Sequence, residues 1–127
     1  MYFNPNNQSE KRMKNFLYIA SYIETTQDED LNQVKVYGEP QKYYFNLQPV
    51  NQDSEVREFG ELSSSMKVAT ITQKLKYLDK FKEFDVAYLD GVKPDNEENN
   101  GDNANYRIYS VRNQNTIIKV YFIKLVK

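Results

Sequence analysis

The chain has 127 residues, 17 Lys and Arg against 18 Asp and Glu, no histidine and no cysteine. That length suits one domain, residues 1–127, around a modest core, and the missing residue types exclude disulfides, thiolate nucleophiles, structural zinc and Ser-His-Asp chemistry. A formal charge of -1 indicates no general affinity for nucleic acid phosphates.

Residues 1–15 are polar, with Asn-Pro and Asn-Asn near the start, and read as a mobile N-terminal arm. No apolar run there resembles a leader, and no segment approaches the length of a membrane span, so the expectation is a protein made in the cytosol. Asn15–Glu24 is rich in aromatic and β-branched residues and reads as one strand, apolar on both faces: Phe16, Tyr18, Ala20 and Tyr22 against Leu17, Ile19 and Ile23. Thr25–Gln33 reads as an acidic polar connection. After Val34–Tyr37, Gly38 and Pro40 mark a turn into a second strand, Gln41–Val50, with Pro49 at its end because proline cannot donate to the ladder.

In "DSEVREFGEL" Asp53 or Ser54 is the expected cap of a short helix, Glu55 and Glu58 suit its dipole, and Gly60 ends or bends it. Met66–Thr72 reads as a strand. Lys74–Lys82 reads as one or two helical turns, with Leu75, Leu78 and Phe81 on one face and Tyr77 flanking. Glu83–Gly91 alternates, Phe84, Val86 and Tyr88 opposite Asp85, Ala87 and Leu89, and closes on an Asp-Gly turn. The last two strands, Asn105–Arg112 and Thr116–Lys127, are joined by a short polar connection. The final strand carries Ile118, Val120 and Phe122 on one face and Ile117, Tyr121, Ile123 and Leu125 on the other, so both faces need covering. One packs on the core; the other needs a helix, a second sheet or another subunit. The expected fold is mainly β, a small β-barrel or sandwich with one or two short helices and a long acidic loop.

The 11 tyrosines suit either a surface built to be covered, since the ring buries area while the hydroxyl tolerates water, or simply a Tyr-rich sheet from an AT-rich genome. On the first reading Tyr18, Tyr22, Lys119, Tyr121 and Ile123 are candidate subunit-interface residues. The acidic segment 91–105 reads as a flexible loop, and Asp95, Glu97, Glu98 and Asp102 within it are candidate docking or channel residues. As a calcium loop it fails: counted from Asp95, the sixth and twelfth positions hold Asn100 and Tyr106 instead of Gly and Glu. Asp85, Asp90, Glu55 and Glu58 are available for paired-carboxylate hydrolysis, but no spacing singles out a pair. The glycines at 38, 60, 91 and 101 form no phosphate loop. No metal, cofactor or catalytic site is therefore expected, and the chain is not read as an enzyme.

Two stretches are basic. One carries Lys67, Lys74, Lys76, Lys80 and Lys82; the last hairpin carries Arg107, Arg112, Lys119, Lys124 and Lys127 among Tyr106, Tyr109 and Tyr121. They suit a nucleic-acid stacking platform or, better, complementarity to the acidic loop of a neighbouring copy, giving head-to-tail contacts that close into a ring. A carbohydrate-binding or hydrolytic domain is a third reading, resting on the aromatics alone.

Four segments, "YGEPQKYYFNLQPV", "DSEVREFGEL", "KFKEFDVAYLDG" and "NGDNANYRIYSVRNQNTIIKVYFIKL", follow one another between Val36 and Leu125. In that order they resemble the small head–tail connector (head-closure) proteins of long-tailed phages of low-GC Gram-positive bacteria. The first 35 residues lie outside the resemblance. It implies a non-catalytic virion protein with a small β-barrel, made in the host cytoplasm. Such proteins form a homo-oligomeric ring between the portal or adaptor above and the tail terminator or tail protein below. The ring closes the DNA-filled head without sequence-specific DNA binding. Segment 91–105 falls where the family pattern varies, as expected for a part that faces the channel or a neighbouring ring. The alternative function is a small nucleic-acid-binding β-barrel module.

Overall fold

The first strand buries Leu17 and Ile19 on one face and half-buries Phe16 and Tyr18 on the other, but it is shorter than the apolar run that signals it. In a computed structural model describing residues 16–95, 101 and 103–126, β1 (Phe16–Ala20) ends at Ser21, and β2 (Tyr22–Gln27) leaves the barrel with β3 (Gln33–Tyr37) as a separate two-stranded ribbon. The expected single strand over Asn15–Glu24 is thus corrected to two. The expected polar connection shrinks to the ribbon tip at 28–32, because Thr25, Thr26 and Gln27 pair with Lys35, Val34 and Gln33. Ser21 and Gly38 mark the point of departure: the Gly38 N–H donates to the Ser21 carbonyl at 2.8 Å. The expected N-terminal arm lies outside the described residues.

Beyond Gly38 the chain returns along β1 as β4 (Gln41–Tyr44), bends at Phe45, and continues as β5 (Asn46–Pro49) beside β6 (Met66–Ile71). With β7 (Val86–Tyr88), β8 (Tyr106–Asn113) and β9 (Ile118–Lys124) the order is β4-β1-β7-β8-β9-β6-β5, antiparallel throughout. Because β4 and β5 are one bent segment, the two ends of this order meet, and the sheet is a nearly closed barrel. The fold is mainly β, with 46% of the described residues in strands and 16% in helices.

The barrel interior holds Leu17, Ile19, Ala69, Ile108, Val120 and Phe122 among others. Each large aliphatic or aromatic side chain so buried stabilises the fold by about 1.5–3 kcal/mol relative to exposure. Tyr43, Phe45, Tyr77 and Phe81 extend this core with rings 5.2–6.1 Å apart.

Two covers occupy the barrel's outside. Over β6, β8 and β9 lie α1 (Asp53–Phe59) and a 3-10 turn (Gly60–Ser65), beneath which Val50, Phe59, Met66, Val68 and Tyr121 form a second cluster. A bulge between Ile108 and Ser110 lets Tyr109 join that outer cluster while Val111 returns to the interior. Over β1 and β7, Ala20, Val86 and Tyr88 pack with Ala104, Val92 and Tyr37. These two layers are why β1 and β9 are apolar on both faces.

The helices depart from expectation. Neither Asp53 nor Ser54 caps α1: Gln52 holds that position without a side-chain bond, and the acids of the first turn are Asp53 and Glu55. The second helix, α2, covers only Lys74–Tyr77, since Leu78 is extended and Asp79 adopts φ 59°. Tyr77 and Phe81 therefore face the core, while Leu75 and Leu78, expected beside Phe81, are exposed. The Asp-Gly turn forms as read, with φ of 60° at Asp90 and 82° at Gly91 and a 3.1 Å bond from Val92 N–H to the Leu89 carbonyl.

Candidate interaction surface

Where the ribbon leaves the barrel it stands beside the outer face of β7 and β8 and encloses a groove of about 440 Å³. Its lining includes Val86, Arg107 and Leu125 from the barrel, Lys35 and Tyr37 from β3, Phe84 and Gly101. A smaller hollow of about 160 Å³ between Tyr22, Lys35 and Phe84 adjoins it through the last two residues. The alternation puts Phe84 on one face with Val86 and Tyr88. Because β7 begins only at Val86, its ring stays 69% exposed, 5.9 Å from that of Tyr22.

One buried carboxylate sets the geometry of this corner. Asp85 is 1% exposed and accepts from Tyr22 N–H at 2.9 Å and from Lys82 N–H at 3.0 Å, while its own carbonyl accepts from Ile108 N–H at 2.9 Å. The first bond fixes the start of β2 and thus the departure angle of the ribbon. At the far side, Tyr37 lies against Gly101, where a Cβ would stand 2.6 Å from the tyrosine ring at φ 90°, so only glycine fits.

Charge in the groove is basic. The ion pairs among the described residues are Lys67–Asp90 and Arg112–Glu58, and neither uses Lys35 or Arg107. Arg107 instead lies 5.5 Å from the Tyr109 ring. Arg112 is tied down: it donates to Glu58 at 2.8 Å through one nitrogen and lies 5.1 Å from the rings of both Phe59 and Tyr121. That hydrogen bond holds the Glu58 carboxyl below its ordinary pKa.

The five candidate interface residues do not form one patch. Tyr18 is half-buried with its ring edge-on to Tyr88, and Tyr22 flanks the groove. Lys119, Tyr121 and Ile123 lie on β9, separated from β1 by β7 and β8. Tyr121 is covered within its own chain: it is 2% exposed under α1, its hydroxyl donating to Glu55 at 2.6 Å, so it is not a free surface of the monomer. Ile123 packs at the edge of the same cluster, and Lys119 lies between Thr70 and Arg112. Of the loop candidates, Asp95 is exposed, its N–H donating to the Asn103 side chain at 3.3 Å; Glu97, Glu98 and Asp102 lie outside the described residues. Asn105 closes that segment by exchanging two 2.9 Å bonds with the backbone of Leu89, extending the ladder with a side chain.

The four carboxylates considered for hydrolysis each serve a local contact: Asp85 and Glu55 in the bonds above, Glu58 with Arg112, and Asp90 with Lys67 and the Tyr106 hydroxyl. Among the described residues no group of three or more His, Cys, Asp or Glu side chains is placed to hold a metal. No helix there is long and apolar enough to cross a membrane.

Burial, reinforced by the charge of Asp90 and the hydrogen bond to it, pushes the Tyr106 hydroxyl from 10.0 up to about 12. The unfolded chain sheds this proton near pH 10 while the folded chain keeps it to near 12. The folded state therefore binds more protons in that window, and stability falls as pH rises through it. Burial also raises Tyr121, adding to the descent. Urea titrations between pH 9 and 12 should show a shallower decline for Tyr106→Phe than for wild type; parallel curves would remove Tyr106 from the account.

Comparison with protein-family models, with curated proteins and with solved structures finds no match.

Proposed function

We propose that this chain is a virion structural protein that assembles into a ring at the phage head–tail junction, closing the DNA-filled head and presenting the surface on which the tail docks. The observation that carries the reading is a barrel with a projecting ribbon and an open groove between ribbon and barrel, so that one copy offers both a protruding and a receiving part. Such unlike surfaces on one chain produce head-to-tail contacts, which close when the rotation permits. The resemblance of four ordered segments between Val36 and Leu125 supplies the particular ring, with a portal or adaptor above and a tail protein below. An early stop codon in this gene of the phage that carries it should yield untailed heads, many emptied of DNA, alongside free tails in electron micrographs. Intact tailed particles would remove the connector role.

A second reading, a small nucleic-acid-binding module, is favoured by one feature: Lys35 and Arg107 share the groove with the exposed Phe84 ring. Binding that weakens steeply with salt would support it.

A further inference from the structure

The tip of the ribbon is a three-residue hairpin turn, closed by Asp28 N–H on the Asn32 carbonyl at 3.0 Å, with a leucine at the left-handed position that glycine usually holds. The Asp28 side chain accepts from Asp30 N–H at 2.9 Å and from Asn32 N–H at 2.8 Å, and the Asp28 carbonyl accepts from Leu31 N–H at 3.1 Å. This holds Leu31 at φ 65°, a conformation that glycine or asparagine takes at little cost and a branched aliphatic side chain rarely adopts. Leu31 is nonetheless 74% exposed, next to the exposed acids Glu29 and Asp30. A fixed tip thus presents one apolar side chain flanked by negative charge.

The groove between ribbon and barrel has the complementary character. Its apolar lining, Phe84, Val86 and Leu125, stands beside Lys35 and Arg107, two cations outside the ion pairs of the described residues. The groove runs along β3 from Gln33 to Tyr37, and β3, paired with β2 up to Gln27 and Gln33, is itself one of its walls, so the tip cannot fold back into its own groove.

We propose that the groove receives the ribbon tip of a second copy of this chain, Leu31 against Phe84 and Leu125, Glu29 and Asp30 against Lys35 and Arg107. The inference deepens the ring reading and rests on it, naming the contact that repeats from copy to copy. The contact is head to tail, so every copy both gives a tip and receives one. Each joint need not be strong, since closing the ring makes the last contact intramolecular.

Charge reversal provides the test, read by sedimentation of the full chain over a concentration series. Lys35→Glu with Arg107→Glu, and separately Glu29→Lys with Asp30→Lys, should each weaken association at least tenfold. Mixing the two variants should restore it, because each then carries the charge that the other's tip and groove require. Leu31→Gly separates contact from folding: it relieves the backbone, so thermal stability holds or rises while association falls. The chain has no cysteine, so oxidised mixtures of Leu31→Cys and Phe84→Cys should cross-link between copies.

Wild type that associates while neither reversal weakens it would overturn the tip-and-groove contact and leave the ring reading standing. Wild type that stays monomeric to about 1 mM with no cross-link would overturn both. An oligonucleotide retained by wild type and lost on groove reversal, with association unchanged, would assign the groove to nucleic acid instead.

Discussion

Replacing Asp85 with alanine should destabilise the fold by about 4 kcal/mol, a large part of the 5–15 kcal/mol typical of a small domain. The side chain is 1% exposed and its two oxygens each serve one backbone donor, Tyr22 N–H and Lys82 N–H. Alanine leaves both without an acceptor, at about 1–3 kcal/mol each, and removes charge-assisted bonds. Asparagine keeps one acceptor but turns an amide N–H toward the other donor, so it should cost about half as much. With a urea slope of about 2 kcal/mol/M, the midpoint should fall by about 2 M for alanine and about 1 M for asparagine. Amide exchange at Tyr22 and Lys82 should quicken in both variants before global unfolding. Unchanged midpoints would mean that the ribbon's departure angle does not depend on this carboxylate.

That residue was also the hardest part of the site to see in the sequence. In "KEFDVAYLDG" the alternation places Asp85 opposite Phe84 and Val86, as an exposed polar residue would stand. Its actual role depends on Tyr22, 63 positions away, and no local period carries a bond of that separation. The same holds for the break at Ser21 and the bend at Phe45: an unbroken apolar or aromatic run reads as one straight strand, whereas here each run serves two sheet neighbours in turn. Leu75 and Leu78 mislead for a related reason. Their spacing suits a helical face, but the helix stops at Tyr77, and the aromatics win the core because four rings pack there together.

What was legible was the demand for cover. Alternation on β9 places Ile118, Val120 and Phe122 in the interior as expected, and the apolar opposite face announces something packed over it. A helix was one of three covers that the sequence allowed, and α1 with Phe59 is the one the chain uses. This shifts the search for a subunit contact away from Tyr121 and toward the groove, where Phe84 remains exposed and the basic pair lies outside the ion pairs. Arg107 stood out in the sequence within a basic hairpin. Lys35 and Leu31 did not, since one lysine within Val34–Tyr37 and one apolar residue in the acidic connection Thr25–Gln33 carry no pattern of their own.

Removing the ring of Phe59 tests that cover directly, and it should have the second-largest effect. The ring lies 5.0 Å from that of Tyr121 and 5.9 Å from that of Tyr109, and the Arg112 guanidinium stands 5.1 Å from its centre. Phe59→Ala deletes the main apolar contact of α1 with the barrel and leaves a space between the helix and Val68, Met66 and Tyr121. Because the ring sits at the margin of its cluster, the cost should lie near the low end of the Phe→Ala range, about 3 kcal/mol, lowering Tm by about 10 °C. The interior core is untouched, so the far-ultraviolet spectrum should stay that of a β protein while a hydrophobic dye begins to bind. Phe59→Leu keeps most of the cover and should recover more than half of the loss. If the alanine variant melts with wild type and binds no dye, then α1 is not what shields the outer face of β9, and that face returns as a candidate contact between subunits.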